Sequence, residues 1–417
     1  MVGKGNLGAL LSDDEVRSLI AEGLDPAAFK NQRILVIIPD GTRSAPIPLM
    51  FESLYAHLGD HVSRLDYLIA LGTHRPMTEA AIEKLVGFSK AERQKNHPKS
   101  EVYNHAWDDP KQLKVVGTIS SQEMLELTNG LVSVETPINL NKMIDNYDQL
   151  LICGPVFPHE VAGFSGGAKY LFPGIAGHEI IDSTHWLGAL STSYDTIGVK
   201  DTAVRRVLHR GAKFVTEKQP VTSLKMVLKG KDLHGLYIGD VEASWEAASD
   251  LSAELNIVYK DKPFKSVLSI PSTMYEDLWT AAKAMYKTEP VIADGGEVII
   301  YAPHLKEVSL VHGEEIKSVG YHCRDYFLGQ WDKFKDVHWT TLAHSTHVKG
   351  KGSYKDGVET PRIQVTLATQ IPEEICKLIN LGYRDPRTIN IEDWRNKEDE
   401  GKLLVERAGE VLYRVRA

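Results

Sequence analysis

Cysteine is scarce. Three occur in 417 residues (Cys153, Cys323 and Cys376), widely spaced and with no CxxC pair. That excludes a disulfide framework and a cysteine-built zinc site. A positive charge excess is also missing. Lys and Arg number 48 against 56 Asp and Glu, for a net charge of −8. There is thus no basic footprint for nucleic acid or an anionic membrane, and an anionic ligand must be held by local cations. No apolar run is long enough to span a bilayer, and the opening MVGKGNLGALLSDDEV breaks its short apolar patch with two aspartates, unlike a secretory signal. The expected compartment is the cytoplasm. The turn Ala162–Gly174 is neither a GxxxxGK[ST] phosphate loop nor a GxGxxG fingerprint, and no HExxH accompanies His178 and His185.

What is present is a run of buried-type strands ending in unusual turns. RILVIIP (Arg33–Pro39) is continuous in β-branched residues and leads into Asp40-Gly41-Thr42-Arg43. LDYLIALG ends just before His74, with a helix expected from Thr78, and YDQLLICG leads to His159 and Lys169. Strand, turn and helix keep alternating through KFVTE, SLKMVLKG and VEASWEAASDLSAEL, which reads as a layered α/β fold. The length exceeds one ordinary core. We therefore expect two α/β domains, an N-terminal one over residues 1–262 carrying the lysine and histidines and a C-terminal one over 263–399. The polar Lys260–Pro263 marks the boundary. The last segment, about 400–417, has helical spacing and is expected to pack back on the first domain.

Ligands collect beyond the carboxyl ends of strands in such sheets. Histidine there exchanges protons near neutral pH, and a desolvated lysine becomes a nucleophile. Arg43 suits two-point recognition of a carboxylate, and Asp40 suits a ribose hydroxyl. In AGFSGGAKYLFPG, Gly166 and Gly167 permit positive φ and close backbone approach to a phosphate, with Lys169 just beyond. Each of these also reads as ordinary turn chemistry when taken alone. His178 and His185 fall in a helical pattern without paired-histidine spacing, so a metal held there must draw most of its ligands from elsewhere.

Together these pieces resemble the nickel-pincer nucleotide-dependent lactate racemases. The resemblance rests on DGTR (Asp40–Arg43), ALGTHRPMT (Ala70–Thr78), PHEVAGFSGGAKYLFPG (Pro158–Gly174), His185 and DLWTAAKA (Asp277–Ala284). It implies two α/β domains with the active site in the interdomain cleft. It implies a 2-hydroxy acid racemase or epimerase, an isomerase working by proton-coupled hydride transfer through a 2-keto acid. The cofactor implied is nickel in a pyridinium-3-thioamide-5-thiocarboxylic acid mononucleotide, attached to Lys169, with His185 completing the metal's coordination. His74 and His159 match the two acid/base histidines. Arg43 and Lys283 match substrate-binding residues; Asp40, Gly166 and Gly167 match the cofactor's ribose and phosphate contacts. The partners implied are a small 2-hydroxy acid and the proteins that make the cofactor.

This chain departs from lactate racemases at Thr280, where they carry Gln, and at Trp279, where Tyr is expected. Both are read as substrate-pocket positions. The shorter Thr280 and bulkier Trp279 leave the substrate open between lactate or another short-chain 2-hydroxy acid, the first candidate, and malate-like diacids, aryl acids or sugar acids. Two other readings stand beside this one: a non-catalytic carrier or sensor of the nickel nucleotide, and a pyridoxal-phosphate-type enzyme using Lys169 as a Schiff base.

Overall fold

The computed structural model describes residues 1–409 and 411–416. They form two compact units. The first comprises Met1–Phe157, Phe164–Ile181 and Arg205–Leu255; the second comprises Pro158–Gly163, Asp182–Val204 and the chain from Asn256 onward. The sequence places a boundary at 262/263, and the main change of unit falls at Leu255/Asn256. Two short stretches depart from that plan, so His159 and His185, expected beside Lys169, belong to the second unit. The cause is packing remote in sequence: Trp186 and Ala189 share an apolar cluster with Phe327 and Leu342, and Asp182 accepts from the Thr340 hydroxyl at 2.7 Å.

Among the described residues the first unit holds a seven-stranded sheet, ordered Val2–Gly5, Asp232–Gly239, Val221–Lys229, Gln149–Pro155, Arg33–Ile38, Arg64–Ile69, Val102–Asn104. The last five are mutually parallel. Arg33–Ile38 is central and buried after its first residue, as expected for a strand covered on both faces. The following helix, Ile47–Leu58, buries Ile47, Met50, Phe51, Leu54 and Leu58 at helical spacing in the main core. From Arg33–Ile38 the chain moves to one side through Arg64–Ile69, then returns to pair Gln149–Pro155 on the other. This reversal makes a switch point, where the carboxyl ends of three parallel strands open a crevice.

The second unit holds five parallel strands, ordered Gly382–Tyr383, Gln364–Thr369, Ile292–Ala302, Phe264–Pro271, Lys402–Ala408. Here the structure corrects the expected C-terminal helix: Lys402–Ala408 and Leu412–Val415 are strands of this unit. Hydrogen bonding to Phe264–Pro271 overrides the local spacing. Gly409, at φ +129°, was the sequence signal against a helix. Glu410 and Ala417, within the same expectation, lie outside the described residues. KFVTE is also corrected: Lys213–Thr216 closes the helix Ala203–Thr216, whose Val204, Val207, Leu208, Ala212 and Val215 are buried. No helix among the described residues is long and apolar enough to cross a membrane.

Candidate active site

The first unit gathers Asp40, Arg43, His74 and Lys169 at the carboxyl ends of its parallel strands. Asp40 follows Arg33–Ile38. Its Oδ1 accepts from the Thr42 amide at 3.1 Å and the Thr42 hydroxyl at 2.7 Å. Its Oδ2 lies 2.6 Å from Nδ1 of His74. A carboxylate only accepts, so Nδ1 carries the ring proton and Nε2 presents a lone pair. Burial works against charge on Asp40, yet His74 and Arg43 hold the carboxyl below its usual range. The carboxylate expected at a ribose thus serves first as the partner of His74. Arg43 is half-buried and donates to the Thr42 hydroxyl at 3.2 Å.

The loop carrying His74 is tied to the lysine turn through Gly72, whose amide donates to Gly174 O at 2.9 Å. In the turn itself Gly166 and Gly167 adopt φ +79° and +61°. A Cβ on Gly166 would stand 2.7 Å from Val156, and one on Gly167 2.9 Å from Trp245, so both positions require glycine. Two residues not foreseen in the sequence fix the turn. Buried Arg205 donates to the carbonyls of Phe164 and, at 3.1 Å, Gly166. Trp245, 4.1 Å beneath that guanidinium, donates from its indole to Ser165 O at 2.9 Å. Lys169, half-buried, leaves this turn on the short helix Gly167–Tyr170.

The second unit assembles His159, Glu160, His185 and Lys283. Nδ1 of His159 accepts from the Val161 amide at 3.1 Å and lies 3.4 Å from Glu160 Oε2. The two compete for one nitrogen. The amide fixes a neutral ring protonated at Nε2, whereas the carboxylate holds the imidazolium. Burial again opposes charge on Glu160, but His159, its own backbone, His347 and Lys283 bring the carboxyl below its usual range. Glu160 was missed in the sequence reading. Its signal was a lone acid beside the histidine in an otherwise apolar and glycine-rich run.

Lys283 is buried, with its ammonium 4.5 Å over the Tyr275 ring. The expected helix DLWTAAKAMYK is two short ones, Leu278–Ala281 and Lys283–Tyr286. Asp277 caps the first and takes the Thr280 hydroxyl at 2.8 Å, so that hydroxyl serves the cap. Trp279 is stacked on His344 at 3.8 Å and lies 4.4 Å from His312, centroid to centroid. His344 and His347, also unforeseen, come from the helix Trp339–Lys349. Burial depresses both, to about 3 and about 4, so the rings are neutral near pH 7. His185 is half-buried on the helix His178–Ser191. Among the described residues no three His, Cys, Asp or Glu side chains cluster to hold a metal ion.

Two α/β units, each with a parallel sheet, and a set of histidine, lysine and carboxylate side chains on glycine-rich turns define the class. The family model for the lactate racemase N-terminal domain matches residues 16–198. The lactate racemase of Thermoanaerobacterium thermosaccharolyticum is 24% identical over 287 residues, 67% of this chain and 62% of that protein. The lactate racemase of Lactiplantibacillus plantarum is 24% identical over 289 residues, 68% and 62%. The match thus spans about three-fifths of the length of these curated relatives. A crystal structure of a Thermotoga maritima protein superposes with a TM-score of 0.90 at 32% identity, covering 98% of this chain and 99% of that one. The lactate racemase apoprotein of T. thermosaccharolyticum gives a TM-score of 0.71 at 18% identity, over 99% and 94%. Residues 16–198 thus match the lactate racemase N-terminal domain, and the chain as a whole is similar to the lactate racemases.

Proposed function

We propose that this chain is a 2-hydroxy acid racemase or epimerase. The observation that carries the reading is the pair of histidines, each with a carboxylate at Nδ1: Asp40 at 2.6 Å from His74 and Glu160 at 3.4 Å from His159. Each histidine exchanges a proton with the substrate at Nε2, and each carboxylate stabilises the imidazolium formed there. The relatives named lactate racemase support the reaction class.

Inversion at C2 by direct deprotonation is hard, because the adjacent carboxylate disfavours a second negative charge. Removing the hydroxyl proton while hydride leaves C2 gives a planar 2-keto acid, to which hydride can return on either face. Arg43 pairs with the substrate carboxylate. His74 takes the hydroxyl proton at Nε2 and Asp40 holds the resulting cation. As hydride returns to the opposite face, His159, charged and held by Glu160, gives its Nε2 proton to the forming alkoxide. For the other enantiomer the histidines exchange roles.

A nickel-pincer nucleotide, when bound, supplies the electrophilic carbon that accepts and returns hydride. The donor set fits it. Lys169 offers a half-buried amine on a turn whose backbone is locked, and His185 offers one imidazole for the metal. Lys283 is a buried cation suited to the substrate or the cofactor phosphate. Proteins that make the nucleotide are the implied partners.

The test uses cofactor-loaded protein and a 2-hydroxy acid deuterated at C2, with Lys169→Ala as the blank. Retention of deuterium at C2 in both enantiomers of the product supports the reading. Washout of deuterium into water, or no inversion of any acid by nickel-bearing protein, overturns it.

A further inference from the structure

The helix Trp339–Lys349 is buried on all sides from Thr340 to Val348, so its polar side chains must be satisfied from within. Thr340 donates to Asp182 at 2.7 Å, Ser345 to Gly320 O at 2.7 Å and Thr346 to Ala343 O at 2.9 Å. Nε2 of His344 lies 3.0 Å from Trp279 O, which leaves only its Nδ1 unpartnered. His347 differs. It is 3% exposed, and neither ring nitrogen has a hydrogen-bond partner among the described residues. Native interiors seldom leave such groups unmade except where a ligand or ordered water completes them.

His347 lines a cavity of about 230 Å³ together with the hydroxyls of Thr192, Ser193 and Thr346, and the lining reaches the surface at exposed Asp195. Thr192 donates to Asp195 at 2.7 Å and Thr346 to Ala343 O, so both hydroxyl oxygens keep lone pairs for water. A polar space of this size has room for several waters. On its inner side the helix His178–Ser191 joins it to His159. Ala189 lines the cavity, and a Cβ on Gly188 would stand 2.9 Å from Val161, whose amide donates to Nδ1 of His159. Glu160 and His347 are close enough for each to act on the other's charge.

A proton path is needed there because the reaction leaves the two histidines changed. In the direction that starts with proton removal by His74, one turnover ends with an extra proton on His74 and one fewer on His159. The next turnover in that direction requires His74 to lose a proton to water and His159 to regain one. The side chain of His74 is 29% exposed and exchanges directly, whereas that of His159 is only 8% exposed. A neutral imidazole bears one N–H and one lone pair, so it can take a proton at one nitrogen and release one from the other. Resting on the reading that the chain is a two-histidine racemase, we propose that His347 carries protons between water in this cavity and the pair His159–Glu160, and so resets the enzyme between turnovers. One proton passes from cavity water to His347, the opposite nitrogen releases one to the pair, and a turn of the ring restores the first tautomer. The pair again holds two protons. For the other enantiomer the same path takes the proton away.

The test compares cofactor-loaded wild type, His347→Leu and His347→Gln on whichever of L-lactate, L-malate and D-gluconate the wild type inverts fastest, reading C2 by chromatography. A step that resets the free enzyme limits kcat and leaves kcat/KM alone. Both variants are expected to lose about tenfold or more in kcat at unchanged kcat/KM, with part of kcat restored by raising the concentration of phosphate buffer. Gln keeps hydrogen bonds but relays no proton, so a full-rate His347→Gln overturns the proposal and assigns the nitrogens to bound water alone. Equal losses in kcat and kcat/KM overturn it as well. In cofactor-free protein, proton exchange at the His159 ring, read by ¹⁵N relaxation dispersion, should slow about tenfold or more in both variants while His74 stays as in wild type. Unchanged exchange at His159 overturns the path whatever the activity. Slowed exchange without inversion of any acid by nickel-bearing wild type would keep the path and sink the racemase reading alone.

Discussion

Nδ1 of His74 lies 2.6 Å from Oδ2 of Asp40, and this contact settles which nitrogen of the ring can act as a base. Asp40 is in turn held by Thr42, so one short loop after the central strand orients a histidine on the loop of the neighbouring strand. Asp40→Asn keeps the size of the side chain and removes its charge. Turnover should fall about a hundredfold or more, by analogy with the loss when a triad aspartate becomes an amide. ¹⁵N NMR of the His74 ring should then show the Nδ1–H tautomer no longer dominant. A full-rate Asp40→Asn would show the contact to be structural.

Glu160 makes the same argument for His159 with a weaker geometry. The ratio of kcat/KM in the two directions equals the equilibrium constant in every variant, and that constant is one when the substrates are enantiomers. Glu160→Gln is therefore expected to lower both kcat/KM values together by about tenfold or more, while kcat and KM change unequally in the two directions. Unchanged kinetics in both directions would remove Glu160 from the machinery.

Lys169 and His185 are separable by mass and metal. Intact protein loaded with cofactor should carry a covalent mass increase that Lys169→Ala abolishes and His185→Ala retains. Nickel should be lost in both on desalting. A retained adduct in Lys169→Ala would move the attachment elsewhere, and a borohydride-trapped Schiff base on Lys169 would favour pyridoxal-phosphate chemistry.

Arg205 bears on stability as well as on loading. Its guanidinium supplies buried donors to the carbonyls of Phe164 and Gly166. Arg205→Leu removes the buried side-chain donor from both carbonyls, leaving Gly166 O with the Lys169 amide, and should cost about 2–4 kcal/mol in urea unfolding. Arg205→Lys should recover part of that. An unaltered midpoint for Arg205→Leu would mean that Trp245 alone holds the turn.

Acid sensitivity should reside partly in His105. Its ring is buried, with Nε2 2.9 Å from Ala176 O and Nδ1 3.1 Å from the Asn141 amide. Burial depresses it to about 4 from 6.5. Between those values the unfolded chain binds the proton and the folded one does not. Stability from this group is thus complete above about pH 6.5 and lost as pH falls towards 4, on the order of 3 kcal/mol in all. Urea midpoints across this range should flatten in His105→Gln. An identical slope in the variant would place the sensitivity elsewhere.

Much of the candidate site was legible because its residues sit in continuous motifs. Asp40–Arg43, the His74 loop and the Gly166–Lys169 turn each follow a strand whose apolar run is unmistakable, and parallel pairing brings those strand ends to one edge. Local chemistry decided these positions: β-branched runs for strands, glycine where φ is positive.

Pairing and packing decided the rest. Only the folded chain shows that Asp40 turns to His74, that Arg205 reaches back to Gly166, or that Thr280 caps its own helix through Asp277. His344 and His347 look like two polar residues in a serine- and threonine-rich stretch. Their meaning appears once Thr340–Val348 is enclosed on every side and a partner is demanded of each polar atom. The C-terminal segment makes the same point from the other direction. Its spacing suits a helix, but a vacant parallel edge on Phe264–Pro271 makes it a strand. The sequence by itself determined the α/β class, the strand-end motifs and the resemblance to the lactate racemases. Which side chains face each other, and what they leave unsatisfied, was decided by contacts between residues far apart in the chain, which no local pattern encodes.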